Sequence, residues 1–123
     1  MKQIIILLAF MGIFASCISL KSNLEVNIQN NYEEIIIENK YGWGVYGLYC
    51  KINGKVSGVL EIQFTNGENL SERIIPKNGI INFIYEGDWY ADEFIIKLLP
   101  EENVSGYINI VYKFSTLKPL TIY

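Results

Sequence analysis

The sequence predicts an all-β fold: an antiparallel two-sheet β-sandwich of seven or eight strands, with a small closed β-barrel as the alternative. Aromatic residues make up 14% of the 123 residues, and aromatic side chains favour strands over helices. Turn-forming residues separate the apolar segments at intervals of about 8–12 residues, a spacing typical of sandwiches. No segment shows the hydrophobic period of a helix. A single β-domain is therefore expected.

The strand signals are apolar residues that alternate with polar ones between turns. In the first strand, Leu24, Val26 and Ile28 alternate with Glu25 and Asn27. Further strands are expected at residues 34–38, 70–75, 80–85, 94–99 and 104–114, and two more lie between residues 41 and 65. The sets expected on a common face are Ile81, Phe83 and Tyr85, then Phe94, Ile96 and Leu98, and finally Ile108, Ile110, Tyr112 and Phe114.

Residues 41–65 predict a β-hairpin with a two-residue turn at Asn53-Gly54. Asn-Gly between two alternating runs is the strongest short-range hairpin signal. The turn sets a register in which one face is apolar and the other mixed, as expected when one side packs on a core. The apolar face pairs Trp43 with Phe64, Val45 with Ile62, Gly47 with Leu60 and Tyr49 with Gly58, whereas the other face pairs Tyr46 with Glu61, Leu48 with Val59 and Cys50 with Ser57.

Two segments of the chain resemble each other. Residues 56–64 read VSGVLEIQF and residues 104–112 read VSGYINIVY. One interpretation is an old duplication of a hairpin, and the other is two similar strands that each contain a glycine bend. The sequence leaves both interpretations open.

The N-terminal segment has the features of a secretory signal peptide. Lys2 supplies a positive charge, residues 4–14 are apolar apart from one glycine, and the small residues Ala15 and Ser16 follow. The apolar run is shorter than the roughly 20 residues that a transmembrane helix needs. We therefore expect a signal peptide at residues 1–16, a tether at 17–23 and a single β-sandwich domain at 24–123.

Phe14-Ala15-Ser16-Cys17 resembles the lipobox of bacterial lipoproteins, although Phe14 stands where that family usually has Leu. The resemblance implies cleavage before Cys17, acylation of Cys17, and an exported protein anchored to a bacterial membrane in the periplasm or at the cell surface. Cys50 would then have no intramolecular partner. Plain secretion with a Cys17–Cys50 disulfide is the alternative.

Charge and composition exclude several classes of function. The chain contains no histidine, which excludes Ser-His-Asp and Cys-His catalysis and histidine zinc sites. Two cysteines are too few for an all-cysteine zinc site. Ten Lys and Arg against thirteen Asp and Glu leave no basic footprint for nucleic acid. We expect no cofactor, no nucleic-acid partner and no enzymatic activity.

The candidate ligand-binding residues are Asp88, Trp89, Tyr90 and Asp92, in the turn at 86–93. Aromatic rings beside carboxylates are suited to sugar binding, and clustered carboxylates suggest a weaker calcium candidate at Asp88 and Asp92. The simpler interpretation is that Trp89 or Tyr90 closes the edge of the core while the carboxylates lie in water.

The sequence favours a non-enzymatic binding or structural role at the membrane surface, with a protein or glycan as partner. The alternative is an exported inhibitor or immunity protein whose acidic face masks the basic cleft of an enzyme. A small glycan-binding module comes third. A glycosidase built on paired carboxylates is disfavoured, because the domain is small for a substrate cleft.

Overall fold

The computed structural model describes residues 21–40, 44–68 and 70–117. The described residues form eight β-strands. Their bounds are β1 Ser22–Ile28, β2 Glu33–Glu38, β3 Val45–Ser57, β4 Leu60–Thr65, β5 Leu70–Ile74, β6 Ile80–Asp88, β7 Glu93–Pro100 and β8 Ser105–Thr116. Strand β1 begins within the segment expected to be a tether, because Ser22 and Asn23 already pair with Tyr112 and Val111 of β8.

The strands form two four-stranded antiparallel sheets with the orders β1-β8-β3-β6 and β2-β7-β4-β5. Only β4 and β5 are both consecutive in the chain and adjacent in a sheet, so almost every connection crosses from one sheet to the other. Eight strands arranged in this way form a jelly roll. The predicted two-sheet antiparallel sandwich is confirmed, and the sheets do not close into a barrel.

The core lies between the two sheets and is built from residues at alternate positions of each strand. The expected inward set of β7 is buried, with Phe94, Ile96 and Leu98 each 0% exposed. In the set expected for β8, Ile108 and Ile110 are equally buried, whereas Tyr112 and Phe114 are partly buried and pack against the core. Alternation of this kind is what one buried face of an antiparallel sheet requires.

Phe64 of β4 lies at the centre of an aromatic cluster. Its ring centroid is 5.4 Å from that of Phe83, 5.5 Å from Tyr85, 5.3 Å from Trp89 and 5.6 Å from Phe94. Phe83 and Tyr85 belong to the first sheet, whereas Phe64 and Phe94 belong to the second. The cluster therefore packs the two sheets against each other.

The predicted hairpin turn at Asn53-Gly54 is wrong. Strand β3 runs without interruption through both residues, and Asn53 pairs with Asn82 of β6 on one side and Asn109 of β8 on the other. The chain turns only after Ser57, at Gly58, whose φ is +99°. Pairing on both edges of a central strand outweighs the local preference of Asn-Gly for a turn.

The predicted register fails together with the turn, because β3 and β4 lie in different sheets. Cys50 pairs with Tyr85 and Tyr112, and not with Ser57. The inward face of β4 was predicted correctly, since Leu60, Ile62 and Phe64 are at most 1% exposed. Trp43, expected opposite Phe64, lies outside the described residues.

The buried face of β3 also differs from the prediction. Leu48, Cys50 and Ile52 are at most 2% exposed, whereas Tyr49 is only half-buried. The register shifts between Val45 and Gly47, where a β-bulge adds one residue to the strand. A bulge moves every later side chain to the opposite face, so Val45 and Leu48 both point inward.

The two similar segments occupy different structural positions. Residues 56–64 begin in β3 and cross to β4 in the other sheet, whereas residues 105–112 lie within the single strand β8. Their glycines share a positive φ, +99° at Gly58 and +144° at Gly106. The structure therefore favours two similar strand sequences with a glycine bend over a duplicated hairpin.

Cys50 is a free thiol in the core and is 0% exposed. Burial raises the pKa of this thiol from 9.0 to about 12, because the thiolate would lose its hydration. The disulfide partner considered for it, Cys17, lies outside the described residues.

We expect the Cys50 thiol to resist alkylation at pH 8 in the folded protein and to react fully in denaturant. A Cys17→Ser background leaves Cys50 as the only thiol. Because the unfolded thiol ionises from about pH 9 and the folded one only near pH 12, folding stability should fall as the pH rises through this window. Urea unfolding should show that a Cys50→Val variant lacks this part of the pH dependence. Rapid labelling of the native protein would contradict the burial.

The placement of Gly54 inside a central strand is directly testable. A Cβ added at Gly54 would lie 2.1 Å from the backbone oxygen of Tyr107, so Gly54→Ala must displace β8. We expect a loss of about 1–3 kcal/mol or more in urea unfolding. Gly44→Ala is the matched control, because nothing lies within 4 Å of the added atom. Equal stability of the two variants would contradict the strand.

Candidate functional site

The candidate residues lie at one end of the sandwich, which we call the near end. It comprises the described residues of the turns at 39–44, 66–68 and 89–92, together with the start of β1 and the end of β8. The backbone links these segments: Asn39 N donates to Asp92 O at 2.7 Å, and Leu117 N donates to Gly44 O at 2.9 Å. The near end is therefore a hydrogen-bonded set of loops.

Trp89 fixes the turn between β6 and β7. Its side chain is 6% exposed and packs edge-on against Tyr85, with ring centroids 5.4 Å apart. Its Nε1 donates to the backbone oxygen of Glu93 at 3.0 Å, and its backbone N donates to Tyr46 O at 3.2 Å. Trp89 thus closes the edge of the core, which is the simpler of the two roles that the sequence allows.

Tyr90 has the opposite environment, with 76% of its side chain exposed. Its neighbour Trp89 is held by packing and by two hydrogen bonds, so the backbone that carries Tyr90 has little freedom to move. An exposed aromatic ring on a fixed turn is a binding element that loses little entropy when a ligand arrives.

An open depression of about 500 Å³ lies beside Tyr90. Two of its lining residues, Asn66 and Glu68, come from the β4–β5 turn and were not among the sequence candidates. The turn is shaped locally, since Glu68 N donates to the Asn66 side-chain oxygen at 3.0 Å. The sequence marks Asn66-Gly67 as a turn, but only the jelly-roll topology brings that turn to Tyr90. The other lining residues are Tyr85, Asp88, Trp89, Tyr90 and Ala91.

The polar groups of the depression are mainly acceptors. Tyr85 Oη donates to the backbone oxygen of Asp88. Desolvation, followed by the nearby Asp88 charge, raises the pKa of the Tyr85 phenol, so this group stays protonated and keeps donating. The carboxylates of Glu68 and Asp88 are exposed at the rim. The arrangement can accept hydrogen bonds and attract cationic groups around one flat ring.

Asp92 does not line the depression, although its backbone oxygen helps to hold the turn. Over residues 21–40, 44–68 and 70–117, no three Asp, Glu or Cys side chains come together in a way that would hold a metal ion. Calcium binding by Asp88 and Asp92 therefore stays a hypothesis, because the described residues bring no third acidic or thiol side chain to them.

Comparisons with known proteins show similarity at the level of fold. No protein-family model and no curated protein matches the sequence. The structure is similar to the crystal structure of PirA, with a TM-score of 0.52 and 14% identity over 74% of this chain and 93% of that chain. A Bacillus endospore appendage pilus protein has a TM-score of 0.47 and 14% identity, over 80% of this chain and 88% of that chain. The Yersinia pseudotuberculosis-derived mitogen has a TM-score of 0.46 and 17% identity, over 85% of this chain and 92% of that chain.

The similarity to PirA is one of fold alone, and the function has to be argued from the site. In the described part of the chain, no helix is long and apolar enough to cross a membrane.

Proposed function

We propose that this protein is a non-enzymatic binding protein, held at a bacterial membrane surface by a lipid on Cys17, and that its near end binds a partner protein with a basic surface. The observation that carries the proposal is the 76% exposure of Tyr90 on a turn fixed by the buried Trp89.

Tyr90 has the properties of an interface anchor. Tyrosine is enriched among the residues that dominate binding energy, because a rigid amphipathic ring buries a large area at a small entropic cost. Glu68 and Asp88 lie beside the ring, at the edge of the depression. Carboxylates around an apolar centre favour a partner with complementary positive charge. If the partner is an enzyme with a basic cleft, the protein would act as an inhibitor or immunity protein.

The tether would place this surface close to the membrane. Lys21 Nζ lies 3.9 Å from the centroid of the Tyr49 ring, so the chain is attached to the sheet by that residue. Four residue steps separate Cys17 from Lys21, which span at most about 14 Å. Strand β1 begins at the near end, and therefore a lipid on Cys17 would keep Tyr90 near the bilayer. The expected partner is one that acts at the membrane surface.

A glycan is the second candidate ligand for the same surface. Asn66 and the carboxylates of Glu68 and Asp88 border the depression together with the Tyr90 ring. A flat ring for stacking beside hydrogen-bonding groups suits a sugar, whose hydroxyls donate and accept.

Lipidation can be tested with the two cysteines as a matched pair. We expect intact mass of membrane-extracted protein to show a chain that begins at Cys17 and carries acyl groups. Cys17→Ser should move the protein from the membrane fraction to the soluble fraction, whereas Cys50→Ala should leave it membrane-bound. A soluble wild-type product of unmodified mass would contradict the anchor.

Partner binding can be tested by photo-crosslinking in cells. We expect a photo-reactive phenylalanine analogue at Tyr90 to give a discrete protein adduct, because that ring is exposed at the proposed interface. The same analogue at Tyr32, which is 54% exposed at the opposite end of the sandwich, should give none. With the crosslinked partner purified, Tyr90→Ala should weaken binding by about 30-fold or more, as for an anchor residue.

The charge of the rim supplies a second measurement. Asp88→Lys should slow association with the purified partner, and added salt should reduce the difference between this variant and the wild type. The same adducts from positions 90 and 32 would contradict the proposed interface. Adducts with carbohydrate alone at position 90 would favour the glycan candidate.

A further inference from the structure

The outer face of the β1-β8-β3-β6 sheet carries three asparagines in one cross-strand row. Asn53 of β3 pairs with Asn82 of β6 and with Asn109 of β8. The neighbouring side chains of Ile52, Ile81, Ile108 and Ile110 are at most 1% exposed and point into the core, so the three amides face outward. We call Asn82, Asn53 and Asn109 the asparagine row.

Asparagine is depleted in strands, and three in register across neighbouring strands oppose the local preference of each strand. None of the three side chains has a hydrogen-bond partner among the described residues, so the row adds no side-chain network that would stabilise the sheet. Conflicts between local preference and the fold are expected at functional sites. Asn53, which the sequence wrongly predicts to lie in a hairpin turn, is the central residue of this row.

Two lysines flank the row on the central strand. Lys51 pairs with Ile84 and Val111, and Lys55 pairs with Ile80 and Tyr107, so no carboxylate lies directly across from either lysine. Neither lysine forms an ion pair within the described ranges. The ion pair that is seen there joins Arg73 Nε to Glu61 Oε2 at 3.0 Å, on the other sheet. Glu25 of β1 pairs with Asn109 and adds one carboxylate at the end of the row, so the two lysines leave this part of the face with a small positive charge on a chain whose net charge is −3.

The patch forms a shallow depression of about 470 Å³. Tyr107 borders it with 41% of its side chain exposed, and Ile80 borders it with 56% exposed. The backbone of β3 is already paired on both sides. A ligand here therefore meets only side chains, which excludes the addition of a peptide strand to the sheet at this place.

We propose that this face binds an acidic oligosaccharide. Each asparagine amide offers both donors and an acceptor, which suits sugar hydroxyls that do the same. Lys51 and Lys55 supply the charge for carboxylates or sulfates, and the Tyr107 ring supplies a surface against a sugar ring. This site lies outside the near end and has the opposite charge, so it is a second binding surface, independent of the proposed protein partner.

The test compares three hexasaccharides by calorimetry on the full chain: a polyuronate, a sulfated one and a neutral glucose one. We expect at least one acidic hexasaccharide to bind and the neutral one not to bind. Binding should weaken with rising salt, because exposed charges are screened. Failure of both acidic probes at millimolar concentration would overturn the proposal, as would equal binding of the neutral probe.

Matched variants locate the site. Asn53→Ala should weaken acidic binding by about threefold to tenfold, as for a lost hydrogen bond. The Lys51→Ala/Lys55→Ala double variant should weaken it at least tenfold, while Lys97→Ala on the other sheet should have no effect. Tyr90→Ala should also leave it unchanged, which separates this site from the near end.

Nuclear magnetic resonance on the wild type gives a measurement that does not depend on the stability of variants. The acidic hexasaccharide should shift the backbone amides around residues 51–55, 80–84 and 107–111. Shifts confined to residues 66–68 and 88–91 would overturn the sheet-face site and assign the glycan to the near end.

Discussion

The packing of Phe64 against four aromatic rings is the interaction on which the rest of the structure depends. Phe64 is 0% exposed and contacts Phe83 and Tyr85 across the interior as well as Trp89 at the near end. Few connections in this topology pair neighbouring strands, so side-chain packing between the sheets must hold together strands that are distant in sequence. The same cluster holds Trp89, and through Trp89 it determines that Tyr90 projects into solvent.

The net charge of −3 conceals a difference in charge between the two proposed surfaces. Carboxylates gather at the near end around Tyr90, whereas Lys51 and Lys55 stand on the sheet face beside the asparagine row. Both surfaces are built on rigid elements, one on a turn fixed by Trp89 and the other on a central strand paired on both sides. Rigid placement allows selective binding by few residues, because little entropy is lost when the ligand binds.

Patterns within single strands were readable from the sequence, and pairings between strands were not. Alternation identified the buried faces of β4, β7 and β8, because burial of one face acts residue by residue. Asn53-Gly54 predicts a turn that does not form, since a turn signal is local whereas β6 and β8 pair with β3 from about 30 and 55 residues away. The bulge at Val45–Gly47 leaves no clear mark in the sequence. For the same reason Asp88, Trp89 and Tyr90 were found as candidates, but Asn66 and Glu68 were not.

The geometry of the strands relates the two proposed surfaces to the membrane. Strand β3 leaves the near end at Gly47, which pairs with Asp88, and reaches Asn53 six residues later. At about 3.3 Å per residue, the asparagine row lies about 20 Å farther along the sheet than Asp88. If Cys17 carries the proposed lipid, the near end would lie closer to the bilayer than the asparagine row. The proposed protein partner and the proposed glycan would therefore approach different parts of the sandwich, about 20 Å apart along the sheet.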